Sequence, residues 1–243
     1  MGSLEHPPIF EIPGVPDHLT YTWVAMALLG ILALVASRRL EMVPRGLQNF
    51  MEIVLEQFLA IIDDVLGHEG RRYLPLLATL GLFIVTANLM GLVPGLMAPT
   101  ANINVTVGLA ITTWVYYHFQ GFKKQGVVNY LKHFAVPPGA PVWMAPLMLL
   151  IELISHTSRL LSLSLRLFGN IFGEELVIVI LGSIIPFVVP LPMMLLGLIT
   201  GGLQAFIFVL LSIIYLQAAV AVEHEHDAHG HDAPTGHHAP AAA

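Results

Sequence analysis

Between Pro146 and Pro186 the chain runs for 39 residues without a proline, and most of them are apolar. As one helix this stretch measures about 58 Å at 1.5 Å per residue. A bilayer's hydrocarbon layer is only about 30 Å thick. Crossing it unbroken would require a tilt near ~60°, outside the usual range of about 0–40°. Either the helix breaks near Gly169 and Gly173, or it lies strongly oblique; the oblique placement is the favoured one. One side of the stretch is polar. Glu152, Ser155, Arg159, Ser162, Arg166 and Asn170 are spaced 3, 4, 3, 4 and 4 apart, which puts all six on a single helical face.

Composition supports a membrane class. The chain is 56% hydrophobic and only 11% charged, against about 25% charged in a soluble domain. At 243 residues it forms one domain with no room for a separate soluble catalytic unit. It has no cysteine, which excludes disulfides, thiolate nucleophiles and Cys-based metal sites. The net charge of −6 comes partly from an acidic, His-rich tail and implies no nucleic-acid partner. The first residues, MGSLEHPPIF, lack the basic region of a signal peptide, so the first apolar segment is expected to be a retained anchor.

The remaining segments give a layout. Leu19 to Val35 is a first span, followed by Arg38, Arg39 and Arg45. After Pro44, the residues Leu47, Phe50, Met51, Val54, Leu55, Phe58 and Ile61 keep the helical period, while Glu52, Glu56, Asp63 and Asp64 fall elsewhere. Such a helix is expected to lie in the interface. Tyr73 to about Val93 and Ile103 to about Phe119 form a hairpin around a Pro/Gly/Asn-rich turn, with Lys123, Lys124 and Lys132 beyond it. A second long apolar segment runs from Pro192 to Val222, antiparallel to the first. The fold class is therefore an all-α integral membrane protein. It has an N-terminal transmembrane helix, an interfacial amphipathic helix, a transmembrane hairpin and a C-terminal hairpin of two long oblique helices. Residues 1–222 make one membrane domain of about five embedded helices plus the interfacial one, and 223–243 a disordered His/Ala/Pro-rich tail. Eight of the ten Lys and Arg residues flank spans on one side. The positive-inside rule makes that side cytoplasmic, with the N-terminus outside and the tail inside.

Arg166 carries the strongest chemical signal. A charge at the centre of a membrane helix costs about 2.5–3.5 kcal/mol on insertion scales. It sits midway along its helix, too far from either end to snorkel easily. The nearest acids of that helix, Glu152 and Glu174, are about two to four turns away, and Ser162 and Asn170 flank it at one turn. Arginine stays protonated in almost any protein setting, so it is a fixed positive charge that attracts a carboxylate. Glu152, Glu174 and Glu175 are the helix's titratable acids. The last two diverge by about 100°, so one of them is expected to line the polar face. Gln204 is the matching polar residue of the last helix, whereas Asn88, Asn102 and Asn104 lie near a turn, which favours Asn in any case. The tail histidines at 224, 226, 229, 231, 237 and 238 read as solvated. His156 stands alone in its helix and no His-Glu-x-x-His occurs, so neither a metal centre nor a cofactor is expected.

The runs SLSLRLFGNIFGEELV (162–177) and LQAFIFVLLSIIYL (203–216) resemble subunit a of the F-type ATP synthase membrane sector. NLMGLVP (88–94), TANINVTVGLA (100–110) and IELISHTSRLLSLSLRLFGN (151–170) extend the resemblance over most of the chain, in the family's order. It implies a non-catalytic channel subunit in a bacterial inner membrane, with the c-subunit ring, subunit b, the rest of the synthase and lipid as partners; H⁺ is the default ion, with Na⁺ the alternative, since much of that choice lies in the ring's ion site. Arg166 is then the stator arginine facing a c-ring carboxylate. Glu152 and Ser155 belong to a cytoplasmic half-channel, and Asn170, Glu175, Gln204 and Asn88 to an outer one. The chain departs from that pattern in one respect. Many bacterial relatives pair the acid at 175 with a histidine seven residues before the glutamine, and here that position is Gly197. The outer relay must use another group or water. Aspartates of some relatives appear as Gly91 and Asn102. The alternative reading is an ion-coupled secondary transporter. The absence of an internal repeat and the unpaired central arginine weigh against it.

Overall fold

The computed structural model describes residues 14–38, 41–42, 44–93, 95–128, 130, 142–184 and 190–220. The tail at 223–243 lies outside these, as do Arg39, Pro94, Lys132 and Pro186. Among the described residues there is no strand. The long helices are α1 (Asp17–Ser37), α2 (Leu47–Leu66), α3 (Leu74–Gly91), α4 (Ile103–Gln125), α5 (Ala145–Ile184) and α6 (Pro190–Val220). Short 3-10 turns cover His68–Tyr73, Pro99–Ala101 and Val142–Met144. Among the described residues, four stretches are long and apolar enough to cross a membrane: Asp17–Ser37, His68–Gly91, Ala145–Ile184 and Leu191–Val220.

Local chemistry accounts for the helix ends. Asp17 sits in the first turn of α1, where its charge complements the helix dipole. Pro75 occupies the first turn of α3, where no intrahelical N–H is required. Asn102 caps α4 by accepting the Asn104 N–H at 3.0 Å. That cap gives Asn102 a structural role at the turn. The second limb of the hairpin continues beyond the expected Phe119 to Gln125, whose side-chain amide donates to the Ala219 carbonyl at 2.9 Å. The bond to α6 secures the extra turns.

Packing is organised around α3 and α6, which run antiparallel and contact each other most extensively. Close approach depends on Gly81. A Cβ there would lie 2.7 Å from Phe58 Cζ and 3.0 Å from Val209 Cγ2, so glycine lets α2 and α6 meet α3 at one level. Two apolar cores follow one another along these helices. One joins Tyr21 and Ala25 of α1 with Phe83, Ile84, Leu163, Leu167 and Phe208. The other joins Ile62 of α2 with Tyr73, Leu77, Tyr117, Ile213 and Leu216. Between membrane helices such cores are held by close van der Waals packing rather than by release from water. The outer face of α1 remains apolar and exposed through Trp23, Met26, Ile31 and Leu34.

Helix α5 runs through Gly169 and Gly173 without interruption over 40 residues. At about 1.5 Å per residue it is about 60 Å long, and the break near Gly169 and Gly173 does not form. A helical glycine costs about 1 kcal/mol relative to alanine, too little to end a helix anchored on α4 and α6.

Candidate functional site

The polar face of α5 divides according to what packs against it. His156, Leu163, Ser164, Leu167 and Ile171 are the buried side of the helix. Ser162, Arg166 and Asn170 are exposed, and Glu152, Ser155 and Arg159 are half-buried. The two arginines therefore differ. The Arg159 guanidinium lies over the Tyr215 ring at 5.2 Å, a cation–π contact within the subunit. Arg166 makes no hydrogen bond or ion pair with any described residue. Exposed Ser162 and Asn170 flank it one turn away on each side, and exposed Leu161, Leu165 and Phe172 lie further round the helix. It is a fixed cation on a narrow polar stripe bordered by apolar surface.

One turn further on, Asn170 Nδ2 donates to Gln204 Oε1 at 2.7 Å and ties the stripe to α6. Gln204 is 2% exposed. Its Nε2 has no hydrogen-bond partner among the described residues. An unmet buried donor costs about 1–3 kcal/mol, so this amide is a ready donor to a water or an incoming acceptor.

Beyond it lies a small cavity of about 10 Å³, the order of one water's space. Asn88, Gly91, Leu92, Ala98, Ile171, Glu174, Glu175, Ile178 and Gly197 line it. Both Glu174 and Glu175 line this cavity. Glu175 Oε1 accepts the Ala98 N–H at 3.2 Å, and Glu174 Oε2 accepts the Thr200 hydroxyl at 3.2 Å. The reason is that α5 meets the 98–101 loop on one side and α6 on the other, so two diverging side chains converge on one recess. Glycine makes the space. A Cβ on Gly197 would fall on the Glu174 carboxylate, and one on Gly91 would lie 2.7 Å from Ala98 Cβ and 3.4 Å from Glu175 Oε1. Asn88 is fully engaged in joining the walls: its Nδ2 donates to the Gly201 carbonyl at 3.0 Å and its Oδ1 accepts from Thr100 at 2.7 Å.

The other end of α5 holds a second polar group. Glu152 Oε1 lies 3.1 Å from His156 Nε2, and His156 Nδ1 lies 2.8 Å from the Tyr117 hydroxyl. His118 Nδ1 lies 2.7 Å from the Tyr130 hydroxyl, and the His118 and His156 rings are 4.8 Å apart. His156 is thus not isolated: Glu152 of its own helix and Tyr117 of α4 are both within hydrogen-bond reach. Ser155 is half-buried beside this group, and its carbonyl accepts from Ser158 at 2.8 Å. Tyr117, His118 and Tyr130 carried no mark as site residues in the sequence; the only signal was polar aromatic residues within otherwise apolar segments. Glu152 and Glu175 lie 23 residues apart on one unbroken helix, about 35 Å, so the structure makes two polar regions with Arg166 between them.

A family profile described as ATP synthase A chain matches residues 19–217. The chain belongs to the ATP synthase A chain family. Among its relatives, ATP synthase subunit a 1 of Pelobacter propionicus is 48% identical over 208 residues, 86% of this chain and 89% of that protein. ATP synthase subunit a of Citrifermentans bemidjiense is 47% identical over 224 residues, 92% of this chain and 95% of that protein. The Geobacter sulfurreducens subunit a is 47% identical over 208 residues. Membership of the ATP synthase A chain family agrees with the all-helical fold and its four apolar spans.

Proposed function

We propose that this chain is the proton-channel stator subunit of an F-type ATP synthase. The observation that carries the reading is Arg166, a permanent cation midway along α5, unpaired among the described residues and exposed on the polar stripe between Ser162 and Asn170. Such a charge needs an anion from outside the chain. A ring of c subunits, each bringing one carboxylate past Arg166, supplies it. Two offset aqueous half-channels load and unload protons on those carboxylates and couple proton flow to ring rotation and ATP synthesis. The chain has no catalytic site of its own in this reading; subunit b and the remaining synthase subunits are its other partners.

Glu152 and Ser155 line the cytoplasmic half-channel. Asn170, Glu175 and Gln204 line the outer one, with Asn88 fixing its wall. Glu174 stands in for the histidine that the family resemblance puts at position 197 in many bacterial members, since its carboxylate fills the room that Gly197 leaves. In the bilayer of a bacterial inner membrane, α1 crosses, α2 lies in the interface, α3 and α4 form a hairpin, and α5 and α6 run obliquely. Residues 1–222 are the membrane domain; the N-terminus is outside and 223–243 form a cytoplasmic tail.

The test is ATP-driven ion transport by the purified complex in sealed vesicles, with and without Na⁺. Acidification of the lumen without Na⁺, by a preparation containing ring and soluble ATPase subunits, is the expected outcome. A strict Na⁺ requirement would overturn the choice of ion. Transport by the isolated chain would favour a secondary transporter.

A further inference from the structure

Glu152 ends a hydrogen-bonded chain that begins in the interior. The Tyr117 hydroxyl is 2.8 Å from His156 Nδ1, and His156 Nε2 is 3.1 Å from Glu152 Oε1. Tyr117 is 2% exposed and His156 7%, whereas the Glu152 side chain is 41% exposed. A neutral imidazole has one donor and one acceptor nitrogen. With the phenol donating to Nδ1, the ring proton resides on Nε2 and points at the carboxylate. The partner of one nitrogen sets the role of the other. The ring is also held in place, with the Tyr117 ring stacked at 5.7 Å and His118 at 4.8 Å.

Other titratable and charged groups complete the surroundings. Arg159 lies on the same helix, one turn from His156 on the far side from Glu152, and is engaged over Tyr215 of α6. His118 comes from α4 and is bonded to Tyr130. Glu152 is a carboxylate within hydrogen-bond reach of His156, at 3.1 Å. A glutamate left free at a helix surface loses up to about 2 kcal/mol of side-chain entropy when ordered. Here a buried, pre-set donor one turn away restricts it to the helix face that also carries Ser155.

We propose that His156 is a positioning residue for proton exchange: locked by Tyr117, its Nε2–H holds the Glu152 carboxylate at the mouth of the cytoplasmic half-channel. This rests on the reading of Glu152 given under Proposed function. Tyr117 acts one step further back, through the tautomer.

Four variants of the assembled synthase in sealed vesicles test it, each read as ATP-driven proton pumping relative to ATP hydrolysis and subunit content. His156→Leu keeps bulk and removes the donor; His156→Gln places an amide N–H near the position of Nε2. Loss of one hydrogen bond to a charged group should slow pumping about tenfold in His156→Leu, with His156→Gln within about twofold of the native rate. Glu152→Gln should be slowed at least as much, and Glu152→Gln with His156→Leu no further, because the donor then has no carboxylate to hold. Native pumping by Glu152→Gln would overturn the reading of Glu152 itself. Slow Glu152→Gln together with native His156→Leu, with His156→Gln as slow as His156→Leu, or with additive losses in the double variant, would overturn the role of His156 alone. If His156→Leu does not assemble, Tyr117→Phe decides, since it removes a single hydroxyl: about twofold slowing supports the proposal and unchanged pumping contradicts it.

Discussion

The Glu174 carboxylate occupies the space that any side chain at position 197 would need: a Cβ built on Gly197 falls on Glu174 Oε1. The Thr200 hydroxyl donates to the other oxygen at 3.2 Å and fixes the acid against α6. The acid at 174 and the bare backbone at 197 are one fit, shared between two helices.

Gly197→Ala should therefore displace Glu174. Overpacking of this kind typically costs about 1–3 kcal/mol, and pumping should fall about tenfold as the acid leaves its recess. Combining Glu174→Gly with Gly197→His returns a titratable group to the same space, and should recover much of the rate lost in Gly197→His alone. Vesicle acidification rates of the three variants check this. Native activity of Gly197→Ala, or a double variant no better than Gly197→His, would count against the shared fit.

Asn88→Ala removes both bonds that join α3 to the 99–101 turn and to α6, and leaves the Thr100 hydroxyl and the Gly201 carbonyl without this partner. Leaving buried polar groups unmet costs about 1–3 kcal/mol each. The detergent-solubilised complex should lose this subunit at a lower temperature than the native complex does. Equal thermal release would show that Asn88 is dispensable to the wall.

Much of this arrangement was legible in the sequence, because it depends on periodicity within single helices. The Glu152-to-Asn170 spacing gave the polar face, and the apolar runs gave the long helices. What periodicity could not supply was contact between helices. Tyr117 and His156 meet across 39 positions, and Glu174 and Thr200 across 26. The same limit explains Glu174 and Glu175: on one isolated helix they diverge, and only the 98–101 loop and α6 together make both line a single cavity. Gly197 read as a missing histidine until the neighbouring acid was seen to fill its place.

The two polar ends of α5 should be reached by water from opposite sides of the membrane. In the otherwise cysteine-free chain, Ser155→Cys should react with a thiol reagent or silver ion from the cytoplasmic side and Asn170→Cys from the outer side. Pro16→Cys and Ala218→Cys should likewise label from opposite faces, Pro16→Cys from outside. Reaction of positions 155 and 170 from one compartment would contradict offset half-channels, and same-face labelling of 16 and 218 would contradict the topology.

Arg166 is the residue on which the account turns. Under the proposed function, a protonated ring carboxyl approaching this permanent cation is driven toward its anionic form, which keeps it from passing still protonated between half-channels, so that protons travel round with the ring. The forked guanidinium can hand a carboxylate on as the ring steps, whereas lysine offers a localised charge. Proton-driven ATP synthesis by Arg166→Ala, measured in vesicles alongside subunit content, is the most direct measurement. The account predicts a fully assembled complex with no synthesis and a passive proton leak, with Arg166→Lys also uncoupled. Normal synthesis by Arg166→Ala would contradict it, and full activity of Arg166→Lys would reduce the residue's role to that of a point charge.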